Sequence, residues 1–318
     1  MDLSQITLTQ MRYAIAIAET GSFKAAAERC FVSQSGLSMQ VMKLEELLGV
    51  RLFDRSKKPT LITSEGEGAL AQMRVILREL ERLGRIVEEE DEPSGIFRLG
   101  VIPSLAPTLI PLFLSDFMAR YPRVELKIEE LRTEEIIDHL LRDTLDAGLA
   151  AIPLLESGLR EISLAHERLF AYLPPGDPLL EKKRIRQGEL HDRPLWMLSE
   201  GHCFRNQVLS FCETAAAQSE SDGVDFESGS FETIVRLVDR GMRATLLPAM
   251  VAHSLPEPRR EAQLRRFVDP EPVREIGLVT AREDLRRGVT EALAASLIEA
   301  MKPILGGEPS RMKILEPR

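Results

Sequence analysis

The chain has 318 residues, 44% of them hydrophobic, which is enough for two or three domains with ordinary cores. No apolar run reaches transmembrane length, the first ten residues do not resemble a signal peptide, and three cysteines are too few for a secreted disulfide framework. A formal net charge of −9 argues against indiscriminate nucleic-acid binding, so we expect a soluble, cytoplasmic protein that does not contact membranes.

The charge is unevenly distributed along the chain. Residues 1–63 contain eight Lys or Arg and six Asp or Glu residues, whereas residues 64–92 contain four basic and nine acidic ones. Any contact with nucleic acid is therefore expected at the N-terminus.

The N-terminal pattern predicts a helix-turn-helix followed by a wing. Apolar spacing predicts a helix over residues 4–19, a short Ala-rich helix over 23–30, and a third helix that Ser33 caps. Two short strands, 51–55 and 60–63, enclose a basic turn and form a hairpin suited to DNA phosphates. A polar-faced helix after a tight turn is typical of DNA-reading motifs. The predicted DNA contacts are Gln34, Ser35, Ser38, Lys43, Arg51, Arg55, Lys57 and Lys58.

A long helix is predicted over residues 64–90. Apolar residues recur along it at steps of three and four, as in a heptad seam interrupted by Gly84. The seam residues are Leu70, Met73, Leu77, Leu80 and Val87. We expect this helix to join two chains, so that two DNA-binding units meet two half-sites. The alternative is a helix that packs within its own domain. The acidic residues that follow mark a domain boundary.

After the acidic stretch, strands and helices alternate. Strands at 96–102, 124–129 and 145–152 enclose two helices, an order that predicts a parallel sheet with right-handed crossovers. Further strand and helix patterns follow, and the last strand and helix return the chain to its first half. This pattern is typical of two lobes with a sensing cleft between them.

The predicted fold class is therefore α/β: an N-terminal winged helix-turn-helix, a long linker helix, and a two-lobed periplasmic-binding-protein-like α/β regulatory domain. The expected boundaries are 1–63 for the DNA-binding domain, 64–92 for the linker, 93–302 for the regulatory domain and 303–318 for a C-terminal tail. Lobe I comprises about 93–166 and 269–302, and lobe II comprises about 167–268.

Two of the three cysteines, Cys203 and Cys212, lie in one segment whose apolar spacing predicts a helix over residues 203–217. Nine residues of helix rise about 13 Å, whereas a disulfide needs Cα atoms within about 7 Å of each other. A bond between these thiols would therefore unwind the helix and act as a switch. The alternative is that both cysteines are buried and act as small hydrophobic residues.

Cys203 is expected at the start of this helix, beside His202 and Arg205. Positive side chains and a helix N-terminus both favour a thiolate by lowering the pKa of the thiol. Peroxide oxidises a thiolate to a sulfenic acid, which then condenses with a second thiol. On this interpretation Cys203 attacks peroxide and Cys212 resolves the sulfenic acid.

Several N-terminal motifs resemble the winged helix of LysR-type transcriptional regulators. They are Phe23-Lys-Ala-Ala-Ala-Glu28, Ser33-Gln34, Leu44-Glu45, Leu48-Gly-Val-Arg-Leu-Phe-Asp-Arg55 and Thr63. The resemblance continues through the linker helix and both lobes, so it covers nearly the whole chain. The sequence departs from the family at Ser35, where Pro is frequent, and at Met39 and Met42, where polar or basic residues are frequent. These departures concern the preferred DNA sequence and not the binding mode.

Within this family, the segment Gly201-His-Cys-Phe-Arg-Asn-Gln207 and the pair Phe211-Cys212 resemble the OxyR group of peroxide sensors. The resemblance implies that Cys203 is peroxidatic and Cys212 resolving. It also implies that reduced and disulfide forms assemble differently on promoter DNA, as tetramers built from two dimers. Hydrogen peroxide, RNA polymerase and a thiol reductant are the further partners expected of such a regulator.

The resemblance also assigns side chains to a peroxide pocket. Besides His202 and Arg205, they are Ser104, Thr133 and Arg274. Donors polarise the leaving oxygen of peroxide and acceptors fix its orientation, and these groups supply both. Asn206 departs from the family, which commonly has Asp there, and so removes a negative charge near Cys203.

Two other functions fit the same fold. One is a metabolite-responsive LysR-type regulator with structural cysteines. The other is a thiol peroxidase in which the same two thiols cycle with a reductant, which agrees less well with a DNA-binding domain.

The histidines have no metal-ligand spacing and the sequence has no phosphate-loop or dinucleotide fingerprint, so we expect no metal and no cofactor.

Overall fold

The computed structural model describes residues 3–87, 92–191, 193–212, 226, 228–281, 286–307 and 309–317; for residues 3, 78 and 81–87 it describes the backbone alone. The chain divides into two compact units, Met1–Glu89 and Glu90–Arg318. The predicted helical residues 88–90 and 213–217 lie outside the described residues.

The first unit is a helix-turn-helix with a wing, as predicted. Helices α1 (Leu8–Thr20), α2 (Phe23–Arg29) and α3 (Gln34–Leu48) surround a small apolar core. A hydroxyl caps the start of each helix by accepting a backbone N–H bond from its first turn, because these N–H groups have no partner within the helix. The capping residues are Thr7, Ser22 and Ser33.

The wing consists of strands β1 (Phe53–Asp54) and β2 (Leu61–Ile62), which pair in antiparallel register. Its base is fastened to the end of α1, because the carbonyl of Gly21 accepts a 2.9 Å hydrogen bond from the Thr60 N–H group. Gly21 has a φ of +63°, in the left-handed region that favours glycine. The wing is therefore held at a fixed position relative to the helix-turn-helix.

Helix α4 (Ser64–Val87) begins with residues that do not take part in the predicted dimer seam. Leu70 and Met73, its first two seam residues, are buried in the core of their own unit, where α4 packs against α1. The alternative of packing within the domain is correct for these two residues, because the helix-turn-helix needs a further apolar face to close its core. Leu77 and Leu80 are only half-buried.

The second unit opens with the predicted strand–helix alternation. It comprises β3 (Gly95–Val101), α5 (Ala106–Arg120), β4 (Val124–Glu130), α6 (Thr133–Leu141) and β5 (Ala147–Ile152). β3 runs parallel to both β4 and β5, as two successive crossovers require.

The rest of this unit is built around two long strands, β6 (Leu159–Tyr172) and β11 (Glu271–Ala281), which pair in antiparallel register. Between them lie β7 (Arg184–Ile185), β8 (Leu195–Trp196), α7 (Cys203–Phe211), α8 (Phe231–Asp239), β9 (Ala244–Pro248), α9 (Ala249–Ser254), α10 (Glu257–Gln263) and β10 (Leu264–Phe267). Helix α11 (Arg287–Leu305) and strand β12 (Met312–Ile314) follow. The sheet order is β4-β3-β5-β11-β6-β10-β7, with β12 beside β11, and with β9 between β6 and β8.

The apolar core of this unit is divided into two clusters, one formed mainly by β3, β5, α5 and α11 and the other by β8, β9, α7 and α8. β6 joins them, since it contributes Leu164 to the first cluster and Leu169 to the second. This division confirms the predicted two-lobed α/β fold class. In the described part of the chain, no helix combines the length and apolarity needed to cross a membrane.

The residues predicted to form a C-terminal tail are part of this fold. β12 pairs in parallel register with β11, and Leu315 is buried in the second core cluster. The Leu315 N–H group donates a 2.8 Å hydrogen bond to the Val273 carbonyl. A strand of three residues is too short to show a periodic pattern, so the sequence does not predict it. Contacts with β11 and α7 hold this segment in the fold.

Candidate redox site

Helix α7 begins at Cys203, as predicted, and a glycine turn sets its direction. Gly201 has a φ of +83°, and the Arg132 guanidinium lies against it. The backbone angle favours glycine here, whereas the Arg132 guanidinium, 2.8 Å from where a Cβ atom would lie, is the end of a flexible side chain that can shift. The turn places the Cys203 thiol against the start of α6.

Cys203 lines a cavity of about 10 Å³, close to the smallest volume that holds one water molecule. Cys203 packs with the first core cluster, whereas Phe204, Val208 and Phe211 of α7 belong to the second. The thiol therefore lies at the boundary between the two cores. The cavity is lined by Ile102, Pro103, Ser104, Arg132, Thr133, Gly201, His202, Cys203 and Phe204.

A buried ion pair forms one wall of this site. Arg274 on β11 and Glu167 on β6 are cross-strand partners, and Arg274 Nε donates a 2.7 Å hydrogen bond to Glu167 Oε2. The other Glu167 oxygen accepts a 2.7 Å bond from the Met250 N–H group, which satisfies the carboxylate. Both side chains of the pair are fully buried. This arrangement keeps a compensated positive charge inside the protein beside the thiol.

Arg274 also connects the ion pair to the cavity. Its Nη1 donates a 2.8 Å hydrogen bond to Ser104 Oγ, and its guanidinium lies over the Phe204 ring at 5.4 Å. Because Ser104 accepts this bond, its own hydroxyl proton stays available for a molecule in the cavity.

The Thr133 hydroxyl is the least satisfied polar group at the cavity. Thr133 is the first residue of α6 and is buried. Its hydroxyl is close enough to Cys203 to lower the pKa of the thiol, yet it makes no well-formed hydrogen bond within the described part of the chain. A buried hydroxyl in this state is poised to bond a small polar ligand.

The electrostatics of Cys203 differ from the expectation of an acidified thiol. Burial raises the pKa of Cys203 above its ordinary value, and this effect outweighs the lowering by Arg274 and Thr133. Burial, together with the nearby Arg132 guanidinium, lowers the pKa of His202, so this imidazole is held neutral and does not supply a positive charge. The charge that favours the thiolate comes from Arg274.

Of the predicted pocket residues, the structure brings Ser104, Thr133 and His202 to the cavity, with Arg274 bonded to Ser104. It does not bring Arg205 there. Arg205 Nη1 instead donates a 3.1 Å hydrogen bond to the Leu198 carbonyl and holds the loop that precedes α7.

Cys212 lies at the opposite end of α7, as its C-cap, and is fully buried in the second core cluster. Burial raises the pKa of its thiol from 9.0 to about 12, although Lys313 partly opposes this effect. Both thiols are free. The helical rise between Cys203 and Cys212 is about 13 Å, roughly twice the Cα separation that a disulfide tolerates.

The C-terminal segment fastens α7 along its length. Gln207 Nε2 donates a buried 2.8 Å hydrogen bond to the Leu315 carbonyl. Near Cys212, Lys313 lies 5.4 Å above the Phe211 ring and donates a 3.1 Å bond to Gln187, whose amide donates to the Phe211 carbonyl. Unwinding α7 therefore requires breaking contacts with β12 and the residues after it.

Sequence reasoning missed Glu167 and the contacts of Gln207. Glu167 lies in β6 among Arg160, Glu161, His166 and Arg168, so nothing in the sequence distinguished it as the buried charge. Gln207 gave no signal either, because its partner is a backbone carbonyl 108 residues away.

Two family models match the chain. The model for bacterial regulatory helix-turn-helix proteins of the lysR family matches residues 8–67, and the LysR substrate binding domain matches residues 90–302.

The chain is a LysR-type transcriptional regulator.

Curated relatives of this regulator include peroxide-responsive proteins. A probable hydrogen peroxide-inducible genes activator from Streptomyces viridosporus is 36% identical over 94% of this chain and 96% of its own length. The DNA-binding transcriptional dual regulator OxyR of Escherichia coli K12 is 31% identical over 92% of this chain and 95% of its own.

Solved structures similar to this regulator are also of OxyR proteins. Full-length OxyR from Pseudomonas aeruginosa, a Cys-to-Asp variant, has a TM-score of 0.76 and 32% identity, and covers 92% of this chain and 98% of that one. A Cys-to-Ser variant from Corynebacterium glutamicum with hydrogen peroxide bound has a TM-score of 0.63 and 28% identity, and covers 94% of each chain.

The LysR-type DNA-binding unit exposes most of the predicted DNA contacts. Gln34, Ser35, Lys43, Arg51, Lys57 and Lys58 are exposed. Arg55 is partly engaged within the protein, because its guanidinium bonds Glu45 Oε2 at 2.8 Å and Ser38 Oγ at 3.3 Å. No cluster of His, Cys, Asp and Glu suited to a metal ion occurs among the described residues.

Proposed function

We propose that this regulator senses hydrogen peroxide through Cys203 and that Cys212 completes the response by forming a disulfide. One observation carries the proposal: Thr133, whose buried hydroxyl makes no well-formed hydrogen bond, lines the same small cavity as Cys203. The relatives named as hydrogen peroxide-inducible activators support the same ligand.

The cavity groups have distinct tasks in the first step. Ser104 donates to one peroxide oxygen and Thr133 orients the molecule, while Arg274 stabilises the charge that develops as the O–O bond breaks. The Cys203 sulfur forms a bond to one oxygen, and the other oxygen leaves as hydroxide, which takes up the thiol proton and becomes water. Cys203 is thereby oxidised to a sulfenic acid, and peroxide is reduced.

The second step requires a change in α7. The Cys212 sulfur attacks the sulfenic sulfur, a disulfide forms, and the sulfenic hydroxyl leaves as water with the Cys212 proton. Because the two Cα atoms are about 13 Å apart in the helix, this step unwinds α7 and removes Cys212 from the second core cluster. The result is a reorganised second lobe, which alters how the regulator sits on DNA.

The proposal extends to partners. The regulator would bind promoter DNA as a dimer of dimers, act on RNA polymerase, be reset by a thiol reductant, and work in the cytoplasm.

The deciding experiment is a peptide map under non-reducing conditions after brief treatment of the reduced protein with near-stoichiometric hydrogen peroxide. The Cys203 and Cys212 peptides are expected to be linked, while Cys30 stays alkylatable and serves as the internal control. In a Cys212→Ser variant, Cys203 should instead react with a sulfenic-acid probe. Free thiols at both positions after treatment would refute the proposal.

A larger cavity of about 490 Å³ favours the alternative of a metabolite-responsive regulator. It opens beside Ser104, and its lining includes Thr108, Phe231 and Arg259. This alternative predicts that Cys203→Ser keeps the transcriptional response to the inducer. Loss of the response in that variant counts against a metabolite, and sustained peroxide consumption with a thiol reductant would instead favour a thiol peroxidase.

A further inference from the structure

Two methionines lie on the exposed face of α3, the second helix of the helix-turn-helix. Met39 is 60% exposed and Met42 is 45% exposed, although methionine is ordinarily a buried residue. A helix turns about 100° per residue, so these side chains share one face with Ser35 and Ser38. The opposite face is buried and carries Leu37, Val41 and Leu44.

The surroundings of this face fit a polyanion. In a helix-turn-helix, the second helix enters the major groove and its N-terminal residues contact base edges. Lys43 beside the methionines and Lys57 in the wing are exposed, so they can contact phosphates on either side of the groove. Glu46 is exposed one turn beyond Met42, and its negative charge marks the end of the face that approaches DNA.

The chemistry of methionine selects the base. A thioether donates no hydrogen bond and accepts only weakly, so these residues cannot recognise guanine as arginine does or adenine as asparagine does. Thymine is the base that presents an apolar group, its C5-methyl, in the major groove. A flexible, polarisable side chain packs well against such a methyl group.

We propose that Met39 and Met42 contact thymine methyl groups and thereby set part of the operator preference of this regulator. The inference depends on DNA binding alone and not on the peroxide chemistry, so it can be tested with the reduced protein.

The test removes only the C5-methyl group of a thymine in the DNA. DNA duplexes are first selected from a random pool with the reduced full-length protein, and each thymine of the selected site is then replaced by deoxyuracil. Replacement of a contacted thymine should weaken binding about three- to fivefold in fluorescence anisotropy at fixed salt, as expected for one methyl group returned to water. Met39→Ala or Met42→Ala should abolish the difference between thymine and deoxyuracil at its own position.

Two controls separate this reading from general effects. Met242→Ala alters an equally exposed methionine of the regulatory unit and should leave every thymine effect intact. The α3 variants should keep the wild-type slope of log affinity against log salt, because they touch no phosphate.

Three results would overturn the proposal. They are a selected site without thymine in its half-sites, wild-type binding that is insensitive to deoxyuracil at every position, and methionine variants that change the oligomeric state while keeping the thymine effect. The first two need no variant, so a misfolded variant could not obscure them.

Discussion

At the scale of single residues, Thr133 offers the most direct test of the proposed peroxide pocket. We expect Thr133→Val to slow the oxidation of Cys203 by hydrogen peroxide about 10- to 100-fold, since one hydrogen bond to a charge-bearing group is lost. Thr133→Ser keeps the hydroxyl and should react at nearly the wild-type rate. Rapid-quench alkylation of Cys203 measures both rates.

The matched control is Thr280→Val, which removes another buried hydroxyl that has no hydrogen-bond partner among the described residues. An equal rate loss in this variant would show that the Thr133 effect comes from general loosening.

Glu167 stabilises the fold by neutralising the buried Arg274 guanidinium. Replacing it with Gln leaves the fully buried Arg274 without a counter-charge, which should destabilise the reduced protein by about 3–5 kcal/mol. Glu232→Gln breaks an exposed i,i+4 pair with Arg236 and should change stability by less than about 0.5 kcal/mol. Urea unfolding of both variants measures the difference, and equal losses would contradict a special role for the buried pair.

The raised pKa of Cys212 predicts a pH dependence of stability. Its thiol titrates near 9.0 when free and at about 12 in the folded protein, so folding is favoured while the thiol is protonated. This contribution is fully present below pH 9 and declines as the pH rises towards 12. Urea unfolding at pH 8–10 should therefore show a steeper loss for the wild type than for Cys212→Ala. Parallel curves would mean that burial does not hold this thiol protonated.

At the scale of elements, the attachment of α7 to the C-terminal segment sets how easily the helix unwinds. Leu315→Ala should cost about 2–5 kcal/mol in stability, speed amide exchange over residues 203–211, and accelerate disulfide formation. Ile314, its neighbour, is 46% exposed, so Ile314→Ala should leave all three unchanged. Mass-spectrometric hydrogen exchange on both variants tests whether β12 restrains the helix.

Elements with local signals could be predicted from the sequence, and elements without them could not. Apolar spacing predicted helices α1 to α3, with the Ser33 cap marking the start of α3, and Gly201 and an apolar face predicted α7. Arg205 turns to the carbonyl of Leu198 in the preceding loop, and β12 pairs with a strand about 40 residues earlier, and neither contact leaves a periodic pattern in the sequence. The expected low pKa of Cys203 was wrong because neighbours in sequence cannot reveal the burial that opposes them.

At the scale of the whole molecule, a net charge of −9 coexists with an excess of two positive charges in residues 1–63. DNA affinity should therefore fall steeply with salt, and Lys57→Ala in the wing should reduce the log–log slope by about one. Lys127→Ala alters an exposed lysine of the regulatory unit and should not change the slope. Anisotropy titrations across salt concentrations measure both, and an unchanged slope for Lys57→Ala would remove the wing from the phosphate contacts.

The hydrogen bond between Gln207 and Leu315 joins residues that are 108 positions apart, so it can form only after Leu315 has been synthesised. A ribosome adds about 5–20 residues per second, so some 5–20 seconds pass between the emergence of α7 and the arrival of its C-terminal support. During that interval α7 lacks the contacts with the C-terminal segment that restrain it from unwinding. During that period an oxidant such as hydrogen peroxide would meet the two thiols before the C-terminal contacts with α7 have formed. Under the proposed mechanism, a freshly made regulator would have to be kept reduced before its redox state could report peroxide.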